Sequence, residues 1–211
     1  SPVLFPFQRD ITVWAAHKGR CAVFVDTGLG KTPIQVEWAR LMGQNTLIVA
    51  PLSVARQTVR IARNLLGAEV RYVRHGSDVV AGHNLWITNY EMIGSFDFSQ
   101  FGAVVLDESA LLKAIDGKTR AALTEKCTDI PYRLCCTATP APNDIAELAN
   151  HCEFLGIMTR AEMLATFFVH VDDAATKGGR PGWRLKGHAH AAFYRWLASW
   201  GMFLRRPSDL G

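Results

Sequence analysis

The stretch VDTGLGKT, which begins at Val25, carries the residue types of a phosphate-binding loop. It ends as the pattern G-x-x-x-x-G-K-[ST] does, with Gly30, Lys31 and Thr32, but Val25 stands at the position of the first glycine. In such a loop the lysine binds β- and γ-phosphate oxygens, and the hydroxyl ligates Mg²⁺. Gly28 and Gly30 allow the backbone to bend where it comes closest to phosphate. The stretch therefore predicts nucleotide binding, with a glycine-rich structural turn as the alternative.

A second chemical element is the pair Asp107 and Glu108, which directly follows the apolar run AVVL. Hydrolysis of a bound nucleotide needs one carboxylate that holds the metal and another that orients or deprotonates the attacking water. We predict Asp107 as the Mg²⁺ partner and Glu108 as the catalytic base. Lys31, which binds the phosphate oxygens, is the third predicted catalytic residue. An isolated Asp-Glu pair is equally typical of a helix N-terminus, but its position behind a phosphate loop favours catalysis.

Both candidates require strands that end at the same edge of a sheet. Short apolar runs rich in β-branched residues are CAVFV, TLIVA, VRYV, LWIT, AVVLD and RLCCT, beginning at Cys21, Thr46, Val70, Leu85, Ala103 and Arg133. Their continuous apolarity indicates strands that are buried on both faces. Amphipathic segments between them predict helices near residues 32–42, 54–66, 118–127 and 144–151. This alternation predicts an α/β domain with a central parallel sheet and helices on both faces.

The character of the sequence changes at about Gly156. A basic, glycine-rich stretch begins at Thr176; its cations could follow DNA or form a solvated loop, and they are Lys177, Arg180, Arg184 and Lys186. The segment 188–204 then carries apolar side chains at helical spacing: Phe193, Trp196, Leu197, Trp200, Phe203 and Leu204. We favour a buried helix face over base stacking. The chain therefore divides into a lobe, residues 1–155, and a helical appendage, residues 156–211.

Composition limits the classes of protein without selecting one. The formal charge is +4 and the isoelectric point about 8.9, and arginine outnumbers lysine, so nucleic acid is permitted as a partner but not required. The five cysteines form no C-x-x-C pair and indicate neither a disulfide framework nor a zinc site. No apolar run reaches the roughly 18 residues of a membrane span, and the sequence does not open like a signal peptide. We expect no membrane partner and a cytoplasmic protein.

Six motifs in a fixed order make the pattern more specific than any one of them. They are PFQRD around Gln8, the phosphate loop, LIVAPLSVARQ, ITNYEMI, VVLDESALLK and RLCCTATPAPND. Together they resemble the first RecA-like lobe of superfamily 2 helicases, and among these the Swi/Snf-like DNA translocases of phages and mobile elements. The resemblance runs from about Phe5 to Asp144 and includes the tail segments WRLKGHA and RRPSDLG. It implies a bacterial or phage-encoded enzyme that couples ATP hydrolysis to movement on double-stranded DNA.

The resemblance also assigns residues to the ATP site. Gln8 matches the glutamine that reads adenine, because an amide can both donate to and accept from the base edge; a solvent-exposed polar residue is the alternative. The phosphate-loop positions that would contact Mg²⁺–ATP are Thr27, Gly28, Leu29, Gly30, Lys31 and Thr32. Thr137, Ala138 and Thr139 match the motif that couples the ATP site to the DNA groove. A strand-end turn is the alternative for that last motif.

Two further segments match DNA-contacting motifs of the family. Pro51, Ser53 and Gln57 lie in the first, and Thr88, Asn89 and Tyr90 lie in the second. Small hydroxyls and helix N-termini at strand ends are suited to phosphate contact. The same residue types also make ordinary helix caps.

This sequence departs from the family pattern in two ways. The acidic motif reads D-E-S-A, so Ala110 replaces the residue that usually relays to the coupling motif, and Ser109 or another group must substitute. The arginine-bearing motif of a second RecA-like lobe does not follow, and the spacing of Arg205 and Arg206 does not direct them to the γ-phosphate. We therefore expect a fragment that needs a second lobe for rapid hydrolysis. The alternatives are a fragment that binds nucleotide or DNA without turnover, and another P-loop NTPase, although the N-K-x-D motif of GTPases is missing.

Overall fold

A parallel sheet forms the centre of the computed structural model, which describes residues 2–113, 117–171 and 182–210. Its seven strands are β1 (Arg20–Val25), β2 (Thr46–Ala50), β3 (Arg71–Tyr72), β4 (Leu85–Asn89), β5 (Ala103–Asp107), β6 (Tyr132–Thr137) and β9 (Gly201–Leu204). They lie in the order β3-β4-β2-β5-β6-β1-β9, and all six pairings are parallel. The apolar runs of the sequence thus predicted six of these strands.

Helices connect the strands and cover both faces of the sheet. They are α1 (Pro6–Lys18), α2 (Lys31–Met42), α3 (Leu52–Leu66), α4 (Gly117–Lys126), α5 (Leu148–Leu155), α6 (Arg160–Phe167) and α7 (His190–Trp200). The prediction near residues 144–151 is confirmed as a 3-10 turn, Ile145–Glu147, that leads into α5. Helix α1 was not predicted, although proline at its first position and glutamine at its third are N-terminal signals.

Alternate residues of the strands face two separate apolar layers. On one side Cys21, Val23 and Val25 of β1 pack with helices α1 to α3, and on the other side Ala22 and Phe24 pack with helices α4 to α7. Strands buried on both faces require apolar residues at every position, which explains why the sequence runs are continuous. The predicted α/β fold with helices on both faces is confirmed.

The segment after Gly156 is only partly helical. It contains α6, an antiparallel pair β7 (Phe168–Val171) and β8 (Gly182–Leu185), α7, and then β9. Phe193 and Trp200 form the buried face of α7 as predicted, but the helical prediction for residues 201–204 is wrong. These residues pair with β1, which satisfies backbone groups of β1 that an edge strand would leave open. The boundary between lobe and appendage stays a prediction.

The basic stretch is described in part, and the structure also bears on the expected absence of a membrane span. Lys177 and Arg180 of the basic stretch lie outside the described residues, whereas Arg184 and Lys186 lie in or directly after β8. Lys186 Nζ donates to the carbonyl of Ala165 (2.6 Å), so this lysine fastens the hairpin to α6. In the described ranges, no helix has the length and apolarity that crossing a membrane requires.

Candidate nucleotide-binding site

The phosphate loop joins the end of β1 to the start of α2. Gly28 and Gly30 have φ values of 85° and 80°, in the left-handed region that favours glycine. A Cβ atom on Gly30 would also collide with the amide of Gln8. Val25 needs no such freedom, because it is the last residue of β1 and pairs with Leu204. The missing first glycine therefore falls at a position where the chain is still a strand.

Within this loop the polar groups bond to one another. Lys31 Nζ donates to the carbonyl of Val25 (3.3 Å), and so the lysine side chain folds back over the loop. The Asp26 carboxylate accepts the backbone N–H of Thr27 (2.6 Å). Thr27 and Gly28 are exposed, while residues 29–32 are half-buried. The strand, tight turn and helix that the sequence predicted are all present, and the N-terminus of α2 favours an anion there.

Asp107 ends β5 deep in the cleft beside the loop. Its side chain is 3% exposed, and its Oδ1 accepts hydrogen bonds from Gln35 Nε2 (2.7 Å) and from the backbone N–H of Glu108 (3.0 Å). Burial raises the pKa of Asp107, while the Gln35 hydrogen bond and the charge of Lys31 act in the opposite direction. Sequence reasoning missed Gln35. Its only signal is a glutamine on the buried face of α2, one turn after Lys31.

Glu108 and Thr137 connect the acidic motif to the coupling motif. Thr137, the last residue of β6, donates its hydroxyl to Glu108 Oε2 (3.1 Å) and accepts the backbone N–H of Thr139 (3.2 Å). Glu108 has a φ of 50°, which is uncommon for a residue other than glycine and turns its side chain away from the line of β5. Ser109 donates to the carbonyl of Cys136 (3.3 Å), so it joins the same two strands. The D-E-S-A sequence thus keeps direct contacts between the motifs without using Ala110.

Gln8 lies on α1 directly against the phosphate loop. Its Nε2 donates to the carbonyl of Leu29 (3.0 Å), and its Oε1 accepts the N–H of Phe5 (3.1 Å). The side chain is buried, so the alternative of a solvent-exposed glutamine is wrong. Next to it is a groove of about 620 Å³, lined by Phe5, Pro6, Phe7, Gln8, Gly28, Leu29, Pro207 and Ser208. We call this the base groove, because its size and apolar walls suit a purine beside the phosphate loop.

Known structures match this arrangement of strands. The SWI2/SNF2 ATPase core of Sulfolobus solfataricus, in complex with double-stranded DNA, superimposes with a TM-score of 0.72 at 20% identity, over 96% of this chain and 44% of that one. The UvsW helicase of bacteriophage T4 gives 0.59 at 16% identity, over 74% and 58%. The Hef helicase domain of Pyrococcus furiosus gives 0.58 at 20% identity, over 71% and 36%. The fold is that of a RecA-like helicase lobe.

This chain spans less than two thirds of each of those three chains. At these identities the likeness concerns the fold. No protein-family model and no curated protein sequence matches the chain. The chemistry of the lobe must therefore be argued from its own residues.

The two predicted DNA-contacting segments differ in exposure. Ser53 and Gln57 are exposed on α3, and the half-buried Pro51 is the residue before its first turn. A second set is buried and consists of Thr88, Asn89 and Tyr90. Tyr90 donates its hydroxyl to the backbone carbonyl of Asp107 (2.9 Å), and Asn89 accepts the hydroxyl of Tyr72 (2.6 Å). Burial keeps these three side chains away from solvent at the end of β4, and contact of this segment with a DNA backbone stays a prediction.

Proposed function

We propose that this chain is the ATP-binding lobe of a Swi/Snf-like superfamily 2 translocase that couples ATP hydrolysis to movement on double-stranded DNA. One observation carries the proposal. Strands β5, β6 and β1 are neighbours in the sheet, and their carboxyl ends bring four residues to one edge. Asp107 and Thr137 end β5 and β6, Glu108 directly follows β5, and Lys31 follows the loop after β1. A cation at a phosphate loop, a buried carboxylate and a second carboxylate beside it are the groups that phosphoryl transfer to water requires.

Binding of the triphosphate would involve the loop and Lys31. The lysine exchanges its weak bond to the Val25 carbonyl for β- and γ-phosphate oxygens, which are stronger acceptors because they are charged. The backbone N–H groups at the start of α2 add to this attraction. The apolar base groove then receives the base beside Gln8, whose amide has one N–H and one lone pair beyond its bonds to Leu29 and Phe5.

The residues around Asp107 fit a magnesium ion. Thr32 and Asp107 offer the hard oxygen ligands that Mg²⁺ takes together with phosphate oxygens. Gln35 Oε1 is buried and has no hydrogen-bond partner in the described part of the chain, so the cleft has an acceptor ready for a water of the metal shell. When bound, Mg²⁺ neutralises charge on the phosphates.

Glu108 would orient the attacking water and take its proton. The Thr137 hydroxyl holds the Glu108 carboxylate from the side of β6. Because Thr137 also accepts the N–H of Thr139, a shift of the turn at residues 137–139 changes the position of Glu108. This hydrogen-bonded chain is our proposed link between the ATP site and the coupling motif.

The partners follow from the same proposal. The Sulfolobus neighbour is in complex with double-stranded DNA, and in this chain Ser53 and Gln57 are the exposed residues of the predicted DNA segments. A second RecA-like lobe would supply the arginine that neutralises the transition state, which is worth about 10³–10⁵ in rate. Placement in the phage and mobile-element branch rests on the sequence motifs.

Single-turnover hydrolysis of Mg²⁺–ATP, with and without duplex DNA, tests this function. We expect the 211 residues to hydrolyse ATP slowly and with little stimulation by DNA, and Glu108→Gln to abolish the reaction. Rapid, DNA-stimulated turnover by this chain alone would contradict the need for a second lobe. Turnover that persists at the same rate in Glu108→Gln would remove Glu108 as the base.

A further inference from the structure

The last described residues form a turn beside the phosphate loop. Strand β9 runs parallel to β1 and places Leu204 next to Val25. Where the two strands end, the N–H of Asp26 donates to the Leu204 carbonyl (3.0 Å). Arg205 therefore leaves the sheet at the same edge as the phosphate loop, and the strand that it follows is the neighbour of β1. A helix that continued through residues 201–204, as the apolar spacing predicts, would carry Arg205 away from the loop.

One carboxylate holds this turn in shape. Asp209 Oδ2 accepts the backbone N–H groups of Arg205 (2.8 Å) and Arg206 (2.9 Å), and the N–H of Asp209 donates back to the Arg206 carbonyl (3.0 Å). Hydrogen bonds from the backbone of Arg206 and Arg205 lower the pKa of Asp209. Such reciprocal bonding fixes the path of the two residues between them, Pro207 and Ser208.

The turn touches both clefts that flank the loop. Pro207 and Ser208 line the base groove together with Phe5 and Phe7, whose rings lie nearly parallel at 6.2 Å. Arg205 lines the adjoining cleft, which also contains Asp26 and Thr139. Asp26 places a negative charge inside a loop that must receive a triphosphate, and a neighbouring cation offsets that repulsion.

We propose that the turn at residues 205–208 is the outer wall of the nucleotide site. Pro207 covers the base, Arg205 supplies positive charge beside Asp26 for the phosphates, and Asp209 is the positioning residue that holds both. The inference rests on the proposed function, since it needs a nucleoside triphosphate in the loop. It extends that function by giving residues beyond the six motifs a part in binding ATP.

The chain contains a matched control for Asp209. Asp78 also uses one oxygen, Oδ2, to accept two successive N–H groups, those of Arg74 (3.1 Å) and His75 (3.0 Å), and it is likewise exposed. It follows β3, which lies at the opposite edge of the sheet from β9. Asp78→Ala and Asp209→Ala therefore break the same local structure, far from the loop in one case and beside it in the other.

The test is titration of each variant with ATP and with tripolyphosphate in the presence of Mg²⁺. We expect Asp209→Ala to weaken ATP binding roughly three- to tenfold, the effect of losing about one contact. Asp78→Ala should leave the affinity within about twofold. Asp209→Asn should restore most of the loss, because the amide oxygen accepts the same two N–H groups.

Two further variants separate the contribution of Pro207 to base binding from that of Arg205 to phosphate binding. They also test the inference if Asp209→Ala fails to fold. Pro207→Gly should weaken ATP but not tripolyphosphate, which has no base, whereas Arg205→Ala should weaken both. Equal effects of Asp209→Ala and Asp78→Ala, or full ATP affinity in both Pro207→Gly and Arg205→Ala, would overturn the inference while the proposed function stands. An unmodified chain that binds no ATP would overturn both.

Discussion

The two halves of the sheet's carboxyl edge differ in whether any polar side chain reaches solvent. Above β1, β5 and β6, the side chains of Lys31 and Glu108 remain half-exposed in a cleft, beside the buried Asp107 and Thr137. Above β4, the side chains of Thr88, Asn89 and Tyr90 are buried, and the last two bond to other parts of the protein. Both sets lie in motifs of the same resemblance, and both lie at or after the carboxyl ends of buried parallel strands.

The backbone differs at these strand ends. Gly30 and Glu108 adopt left-handed conformations after β1 and β5. After β4 the chain continues into the 3-10 turn Tyr90–Ser95, which folds back against the core. A motif therefore predicts which residue types end a strand, and the dihedral angles at that end decide whether those residues meet solvent or the interior.

Lys31→Ala gives the largest effect expected on the exposed side. Removal of a charge-assisted contact costs roughly 1.5–3 kcal/mol, so affinity for a fluorescent ATP analogue should fall by on the order of 10- to 150-fold. Lys126→Ala is the control, because Lys126 Nζ also donates to a backbone carbonyl, that of Phe96 (3.5 Å), but far from the loop. Equal affinities of the two variants for the ATP analogue would show that the loop is only a structural turn.

The sequence predicted the exposed half of this comparison better than the buried half. Loop, acidic pair and coupling motif are local patterns whose residue types define their geometry. The burial of Tyr90 depends on a contact with Asp107, which is distant in sequence. The only local signal for Gln35 is its position on the buried face of α2, one turn after Lys31. Strand β9 was misread because apolar spacing continues from Trp200 to Leu204, and only pairing with β1 distinguishes strand from helix there.

His151 tests the effect of burial on a polar group that has no partner. It lies beneath the site, edge-on to Phe24 of β1, and neither ring nitrogen has a hydrogen-bond partner in the described residues. Burial lowers the pKa of His151 from 6.5 to about 4. Below about pH 6.5 His151 therefore binds a proton in the unfolded chain but stays neutral in the folded chain. The free energy of unfolding falls as the pH decreases towards 4.

Urea unfolding at pH 7 and pH 5 measures this effect against His151→Leu. The unmodified protein should lose more free energy of unfolding between the two pH values than the variant does, by on the order of 2 kcal/mol. A matching loss in both proteins would show that His151 takes up its proton in the folded state.

Tyr90→Phe gives the smallest expected change and addresses the buried side directly. Loss of the hydroxyl leaves the Asp107 carbonyl without this donor, so the free energy of unfolding should fall by about 1 kcal/mol. Affinity for duplex DNA should not change. Tyr194→Phe, at a tyrosine that is 51% exposed, is the control for removing a hydroxyl at the surface. Weaker DNA binding by Tyr90→Phe at unchanged stability would show that Tyr90 contacts DNA despite its burial.

Calorimetric titration of the unmodified chain with Mg²⁺–ATP tests the central claim most directly. The account predicts saturable binding of one ATP per chain that weakens when Mg²⁺ is removed, because Thr32 and Asp107 are the proposed residues that would hold the metal beside the phosphates. It also predicts weaker binding of GTP, whose base presents the reverse pattern of donors and acceptors to Gln8. A folded protein that shows no saturable binding of ATP, with or without Mg²⁺, would contradict it.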